Sequence, residues 1–274
     1  MVFITKNKKC IGTCALCKAN GIELRESHLI PKLVYMRTKS TKKARFRAVN
    51  NIKKPLQDGE KKFMLCDECE KFFNVFETQF ANHFLDDFLK TQKLNKFILQ
   101  LQWMLDYTLS VMWRILYDEL YNTNSFVGDS IRADFINGEK IIRDYLNALK
   151  NKAPAVCPNY KYYVYKIDEI VKDDRIVKLL EPTLFGYCYF DATYQIPIVF
   201  TYYLGLVFII AFDNDEVLYI DSIKKMLYRK YFMRKIVKGI IASEMKHEAL
   251  YAVEMYEKNM TPDLREKIKE YYSH

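Results

Sequence analysis

Two Cys-x-x-Cys pairs, Cys14/Cys17 and Cys66/Cys69, constrain this chain more than any other feature. A structural Zn²⁺ takes four soft ligands at about 2.3 Å, and two residues between cysteines let one tight turn aim both sulfurs at the same ion. Each pair then supplies half of a tetrahedral site. Seven cysteines are an ordinary total, and Cys10, Cys157 and Cys188 follow no pairing pattern, so a set of free thiols is the alternative. A disulfide framework fits less well, because Met1 to Lys9 has no apolar stretch of the length a secretory signal needs. The expectation is a structural zinc in a cytoplasmic protein.

After the first pair, Lys18-Ala19-Asn20-Gly21 is a turn-forming run, and the second pair opens a strongly helical stretch from Glu70 to Leu89. That is the layout of a treble-clef (ββα) zinc module. Forty-eight residues separate Cys17 from Cys66, more than an ordinary zinc ribbon uses, which leaves room for an insertion. The insertion contains Glu26-Ser27-His28-Leu29-Ile30-Pro31-Lys32.

Cys14-x-x-Cys17, Ser27-His28-x-x-Pro31 and Cys66-x-x-Cys69-Glu70, taken together, resemble the zinc-stabilised branch of the HNH (His-Me finger) endonucleases over residues 10 to about 90. The resemblance implies that His28, as a neutral imidazole on a β-hairpin, takes a proton from the water that attacks a phosphodiester. It also implies a catalytic Mg²⁺ or Mn²⁺ that offsets the charge building on phosphate and leaving oxygen. Two positions depart from the family pattern. Ser27 stands where an acidic metal ligand usually precedes the histidine, and Glu70 stands where His or Asn follows the second pair. A carboxylate suits a hard cation, so Glu70 is a candidate ligand for the catalytic metal. Glu77, seven residues on and on the same helical face with Asn74 between, is a second. The central Asn of the family motif has no clean counterpart: Asn50, Asn51 and Asp58 are shifted, and Lys61 stands near its place.

Each candidate has a plainer alternative. His28 could be a satisfied structural histidine, Glu70 a complement to the helix dipole, and Glu77 a solvated face residue. His83, among aromatics, reads as a packing or capping residue.

The net charge of +9 is unevenly spread. Residues 1 to 62 hold sixteen Lys/Arg against four Asp/Glu, so the rest of the chain is slightly acidic. Lys39, Lys42, Lys43, Arg45, Arg47, Lys53 and Lys54 are the densest part, in an insertion with few apolar residues. Such a loop can follow a phosphate backbone and release condensed counterions, which makes nucleic acid the expected partner. A solvated loop is the alternative. Eight glycines form neither Gly-x-Gly-x-x-Gly nor Gly-x4-Gly-Lys, which argues against P-loop nucleotide hydrolysis.

Beyond the module, Phe97 to Tyr121 is apolar nearly all round and reads as a central core helix. Arg114 inside it needs an ion-pair partner, Asp118 or Glu119. Asp129 to Lys150 reads as an amphipathic helix with a break near Asn137-Gly138. Past Pro154 and Pro158 the pattern turns extended. Strands are expected at Tyr160–Ile167, Leu184–Phe190, Ile196–Tyr203 and Leu206–Phe212, with Glu216–Ile220 as a fifth candidate. Ile196 to Phe212 is seventeen residues without a charge, the lower limit for a membrane span. The Thr201-to-Gly205 turn signal makes two buried strands the better reading. The chain then returns to helix at Ile223 to Ile241, basic on one face and with Tyr228, Tyr231 and Phe232 interleaved, a secondary candidate for phosphate binding. Another helix runs from Glu244 to Tyr256, where Glu244, His247 and Glu248 imitate a metal cluster but read as surface, and a last one starts at Thr261-Pro262.

The expected architecture is therefore α+β: a zinc-bound module over residues 1–90, then a helical and antiparallel-sheet domain over 91–274, with helices in 91–150, strands in 160–220 and helices in 223–273. The expected function is metal-dependent phosphodiester hydrolysis, on DNA rather than RNA, in a defence or mobile-element setting. The alternatives are a zinc-stabilised nucleic-acid-binding protein that does not cut, and a regulatory protein whose apolar helices form a homo-oligomer.

Overall fold

The computed structural model describes residues 3–4, 10–39, 46–48, 51–56, 59–123, 128–212, 223–263 and 265–266, with side chains except at 3–4, 51–56 and 223–231. The chain is α+β. In order it forms β1 (Phe3–Ile4), β2 (Cys10–Gly12), β3 (Ile22–His28), α1 (Lys32–Thr38), β4 (Phe46–Ala48), β5 (Asn51–Leu56), β6 (Lys61–Cys66), α2 (Asp67–Phe80) and α3 (Asp86–Thr91). Then come α4 (Gln102–Asp118), α5 (Asp129–Lys150), β7 (Lys161–Lys166), α6 (Ile167–Ile170), α7 (Asp174–Leu180), β8 (Leu184–Asp191), β9 (Ile196–Tyr203), β10 (Leu206–Ala211) and α8 (Ile223–Asn259). A wider π-type turn, Ala81–Leu85, joins α2 to α3.

The first sheet is antiparallel with strand order β1-β2-β3-β6, and α2 leaves directly from its last strand. Part of the basic insertion is a hairpin, β4–β5, rather than an open loop. Its Phe46 ring meets Tyr35 of α1 edge-on at 5.1 Å.

The second sheet, β7-β10-β9-β8, is antiparallel and covered on both faces. Its strand residues alternate by period two, as pleating requires. Val199, Tyr203, Leu206, Phe208 and Ile210 join the core around α2 and α4, while Ile198, Phe200, Tyr202, Val207 and Ile209 join a second core under α6, α7 and α8. Helix α8 reaches that core with Met233, Ile236, Val237, Ile241, Met245 and Ala249, which recur at three- and four-residue steps along one face, with Ile236 and Val237 adjacent. The uncharged run from Ile196 to Phe212 is thus a hairpin buried from both sides. Leu204 and Gly205 turn it with left-handed backbone (φ 55° and 77°), the primed turn that suits a two-residue hairpin. Among the described residues no helix is long and apolar enough to cross a membrane.

Helix α4 is the common floor. Residues 106–116 are buried without interruption. Phe80 of α2 stacks on Tyr107 at 3.9 Å, and the Tyr107 and Tyr203 hydroxyls lie 2.9 Å apart, so α2, α4 and the second sheet close on one another. One apolar cluster therefore runs across the expected boundary at residue 90, from Cys10 to Phe212.

Three helical expectations need correction. Helix α5 is continuous through Gly138, because that glycine makes room for the Phe212 ring rather than breaking the helix: a Cβ there would lie 2.7 Å from it. Helix α8 runs unbroken through residues 242–243, where two helices were expected to part, and is kinked instead at Phe232, whose backbone leaves the helical region (φ −120°, ψ 17°). Helices α6 and α7 occupy the segment between β7 and β8, where none was expected. The fifth strand candidate, Glu216–Ile220, lies outside the described residues.

Candidate functional site

The candidate metal centre is assembled by the first sheet and the start of α2. Residues 15–17 turn after β2, with the Lys18 amide donating to the Cys14 carbonyl (3.0 Å) and the Cys14 amide to the Ala19 carbonyl (2.9 Å). Left-handed backbone at Lys18 (φ 60°) and Gly21 (φ 67°) then returns the chain into β3. A bulge in the β3–β6 pairing leaves Met64 as the extra residue. Its carbonyl accepts the Ala15 amide at 2.9 Å, fastening the first Cys turn to the strand that carries Cys66. Cys66 caps α2 and Cys69 sits in its first turn.

All four sulfurs lie within 4.8 Å of one another, and those of Cys17 and Cys66 are 3.9 Å apart. A tetrahedral ion with bonds of about 2.3 Å places its sulfurs about 3.8 Å apart, which the Cys17–Cys66 separation matches, and the remaining separations exceed it by no more than about 1 Å. The donor set is soft and mostly buried. The Cys14 thiol is held down to about 4 because the Cys69 thiol donates to it, against the opposing effect of burial, and the Cys66 amide adds a donor at 3.4 Å. Cys69 keeps its proton for the same reason and is pushed up. The four cysteines can hold a structural metal such as zinc.

An open pocket of about 300 Å³ lies between the end of β3 and α2. His28, the last residue of β3, and Lys32, the first of α1, line one wall. Glu70, Lys71, Asn74 and Glu77 of α2 line the opposite wall, and Arg114 of α4 closes the floor. The spacing 70, 74, 77 puts those three side chains on one helical face. Ser27 is fully buried, and its hydroxyl donates to the Glu70 carboxylate, bridging the strand of His28 to the helix of Cys69.

Glu77 is mostly buried rather than solvated. Burial pushes its carboxyl up, and the Arg114 guanidinium, 2.9 Å away, opposes that shift. Arg114 does not pair with Asp118 or Glu119. Asp118 instead accepts from the Asn122 amide at 2.6 Å and lies 3.8 Å from Lys62. Arg114 turns away from its own helix toward Glu77 and toward the His28 carbonyl, also at 2.9 Å. The pairing spans 37 residues and was invisible locally, yet an arginine inside an apolar helix was a signal that a distant acid must meet it. Lys32 and Lys71 carried no such signal.

The two basic candidates whose side chains are described, Lys39 and Arg47, do not line this pocket. Lys39 lies over the Phe46 ring at 5.7 Å, and Arg47 is half-buried in β4. Lys42, Lys43 and Arg45 lie outside the described residues, as do the side chains of Lys53 and Lys54. Glu244 accepts the Tyr187 hydroxyl at 3.1 Å, with His247 exposed beside it. His83 is exposed and meets Trp103 edge-on at 6.2 Å. Among the described residues, only the four cysteines bring three or more ligand side chains close enough to share an ion. No family model, no curated protein and no solved structure matches this chain.

Proposed function

We propose that this chain is a zinc-stabilised endonuclease of the HNH-like, ββα type. One observation carries the reading: the strand ending in Ser27-His28, its antiparallel partner ending in Cys66, and the helix opening on Cys69-Glu70 bring His28, Glu70 and Asn74 to one open pocket beside a four-cysteine cluster. In this reading the zinc holds the treble-clef scaffold and takes no part in the reaction. His28 accepts the proton of the attacking water as general base. Glu70 is the carboxylate placed to hold a hard divalent cation, and the Asn74 amide oxygen on the same helical face is a donor of the same hardness. Such a cation, Mg²⁺ or Mn²⁺, supplies charge stabilisation at the phosphate and the leaving oxygen. Lys32 and Lys71 add positive charge at the rim, which favours a phosphate backbone over a neutral substrate. Glu77, engaged by Arg114, serves the scaffold in this scheme. The basic β4–β5 hairpin, whose second strand lies beside the basic helix α8, offers a track for the rest of a nucleic-acid chain, with DNA the favoured substrate.

A second reading has its own support: the hydroxyl of Ser27 and the guanidinium of Arg114 engage the two carboxylates that would otherwise serve a cation. A protein of this kind would bind nucleic acid without cutting it.

The deciding experiment incubates plasmid, single-stranded DNA and RNA with the purified chain in Mg²⁺ or Mn²⁺, beside His28→Ala. The expected result is cleavage by the natural chain and a loss of about 10²–10⁴-fold in the variant at equal zinc content. Binding without cleavage by either protein, across metals, gives the second reading.

A further inference from the structure

We infer that Arg114 is a positioning residue for the His28 site, so that the pocket depends on a helix lying well outside the zinc module. This inference rests on the reading of His28 as the base. Arg114 is 1% exposed, and its guanidinium touches three elements at once: it donates to the Ser110 carbonyl of its own helix at 3.2 Å, to the His28 carbonyl at the end of β3 at 2.9 Å, and to the Glu77 carboxylate on α2 at 2.9 Å. It also packs over the Phe73 ring at 5.3 Å.

A planar fork of fixed geometry holds two acceptors at one spacing, which a lysine ammonium on a flexible stem cannot do. Here the acceptors belong to the two walls of the pocket. One is the backbone from which the imidazole projects; the other sits one helical turn beyond Asn74 and two beyond Glu70. Arg114 therefore sets the distance between the base and the face proposed to hold the cation. The carboxylate balances the charge of the guanidinium, and the bond to the His28 carbonyl ties the same group to the end of β3 from which the imidazole projects.

The test compares the natural chain with Arg114→Lys, and uses Arg143→Lys, which alters a second arginine–glutamate pair, part-buried and away from the pocket, as a control. With zinc content and thermal transition checked first, kcat in Arg114→Lys should fall about 10²-fold, the size expected from a displaced catalytic group, with KM within about twofold. The NMR ring signals of His28 should move while those of the three other histidines stay, and Arg143→Lys should change neither readout. Unmoved His28 signals, or an unchanged kcat, overturn the inference. If the natural chain cuts nothing, the nuclease reading fails by itself, and the ring signals still decide whether Arg114 places the imidazole. If Arg114→Lys does not fold, the natural chain supplies the second measurement. Slowly exchanging Arg114 guanidinium protons with a cross-peak to the Leu29 amide are expected; rapid exchange without that cross-peak overturns the inference.

Discussion

The two four-stranded sheets of this molecule are organised in opposite ways. The first carries half-buried and exposed positions along β3, among them Arg25 and Glu26, and is fastened by its cysteines, by the Met64 bulge and by polar contacts such as Ser27 to Glu70. The second is buried at every residue of β9 and β10, with helices on both faces. One sheet draws its order from a few directed bonds, the other from apolar area. Directed bonds leave a surface free for chemistry, whereas a sheet packed from both sides leaves none, and the open pocket accordingly borders the first.

Withdrawing the metal ligands is the sharpest way to break that contrast. Apparent binding free energies of about 10–16 kcal/mol for structural zinc in small modules set the scale, so Cys66→Ser or a strong chelator should collapse the first sheet. Hydrogen exchange should then show β2, β3 and β6 losing protection while β9 and β10 keep theirs. Equal loss in both sheets would mean that the shared core makes them one cooperative unit. The converse perturbation is Phe200→Ala, in the core under α8. It should cost about 3–5 kcal/mol as a transfer and cavity loss, lowering the thermal midpoint while the zinc content of the folded protein stays at one per chain.

The smallest expected effect is electrostatic. Burial pushes the Asp106 carboxyl up, against the hydrogen bonds donated by Tyr145 (2.6 Å) and Gln102 (3.0 Å). An acid whose folded pKa is raised contributes stability that is fully present below its unfolded value of about 3.9 and is lost as pH rises through the folded value. Asp118 and Glu77 shift in the same direction. Asp106→Asn keeps an oxygen for Tyr145 and removes the charge. Its thermal midpoint should fall less than that of the natural chain between pH 4 and pH 7, and parallel profiles would remove Asp106 from that slope.

Legibility in the sequence followed the range of the interaction. Strands β8, β9 and β10 were readable to within a residue, because alternation and uncharged runs are local. The cysteine spacing likewise announced a cluster whose members are distant in sequence but individually marked. Helices α6 and α7 escaped the periodicity pattern, since four and seven residues make only about one and two turns, too few for a repeat to show. The cap that starts α7, Asp173 accepting the Arg175 amide at 3.0 Å, was a signal present but unused. The pocket was half legible: His28, Glu70 and Glu77 came from motif and spacing, while Arg114 was marked only as an arginine in need of an acid, and its partner and its place at the pocket came from tertiary structure. The basic insertion was read as a loop because its charges mask the short Phe46–Ala48 and Asn51–Leu56 pairing.

The two left-handed residues at Leu204 and Gly205 decide more than a change of direction. The β9–β10 hairpin is a partition between two chambers, and the turn assigns each side chain to one of them. Tyr203 faces α4 and meets Tyr107, whereas Tyr202, one step away, belongs with α8. A slip of a single position would exchange the tenants of both chambers, sending Tyr202 toward Tyr107 and Phe200 toward α4. Because neither chamber opens to water, no misassigned ring could escape into solvent. The turn thus acts as an address label, and a chain that misreads it has no half-correct structure in which to rest.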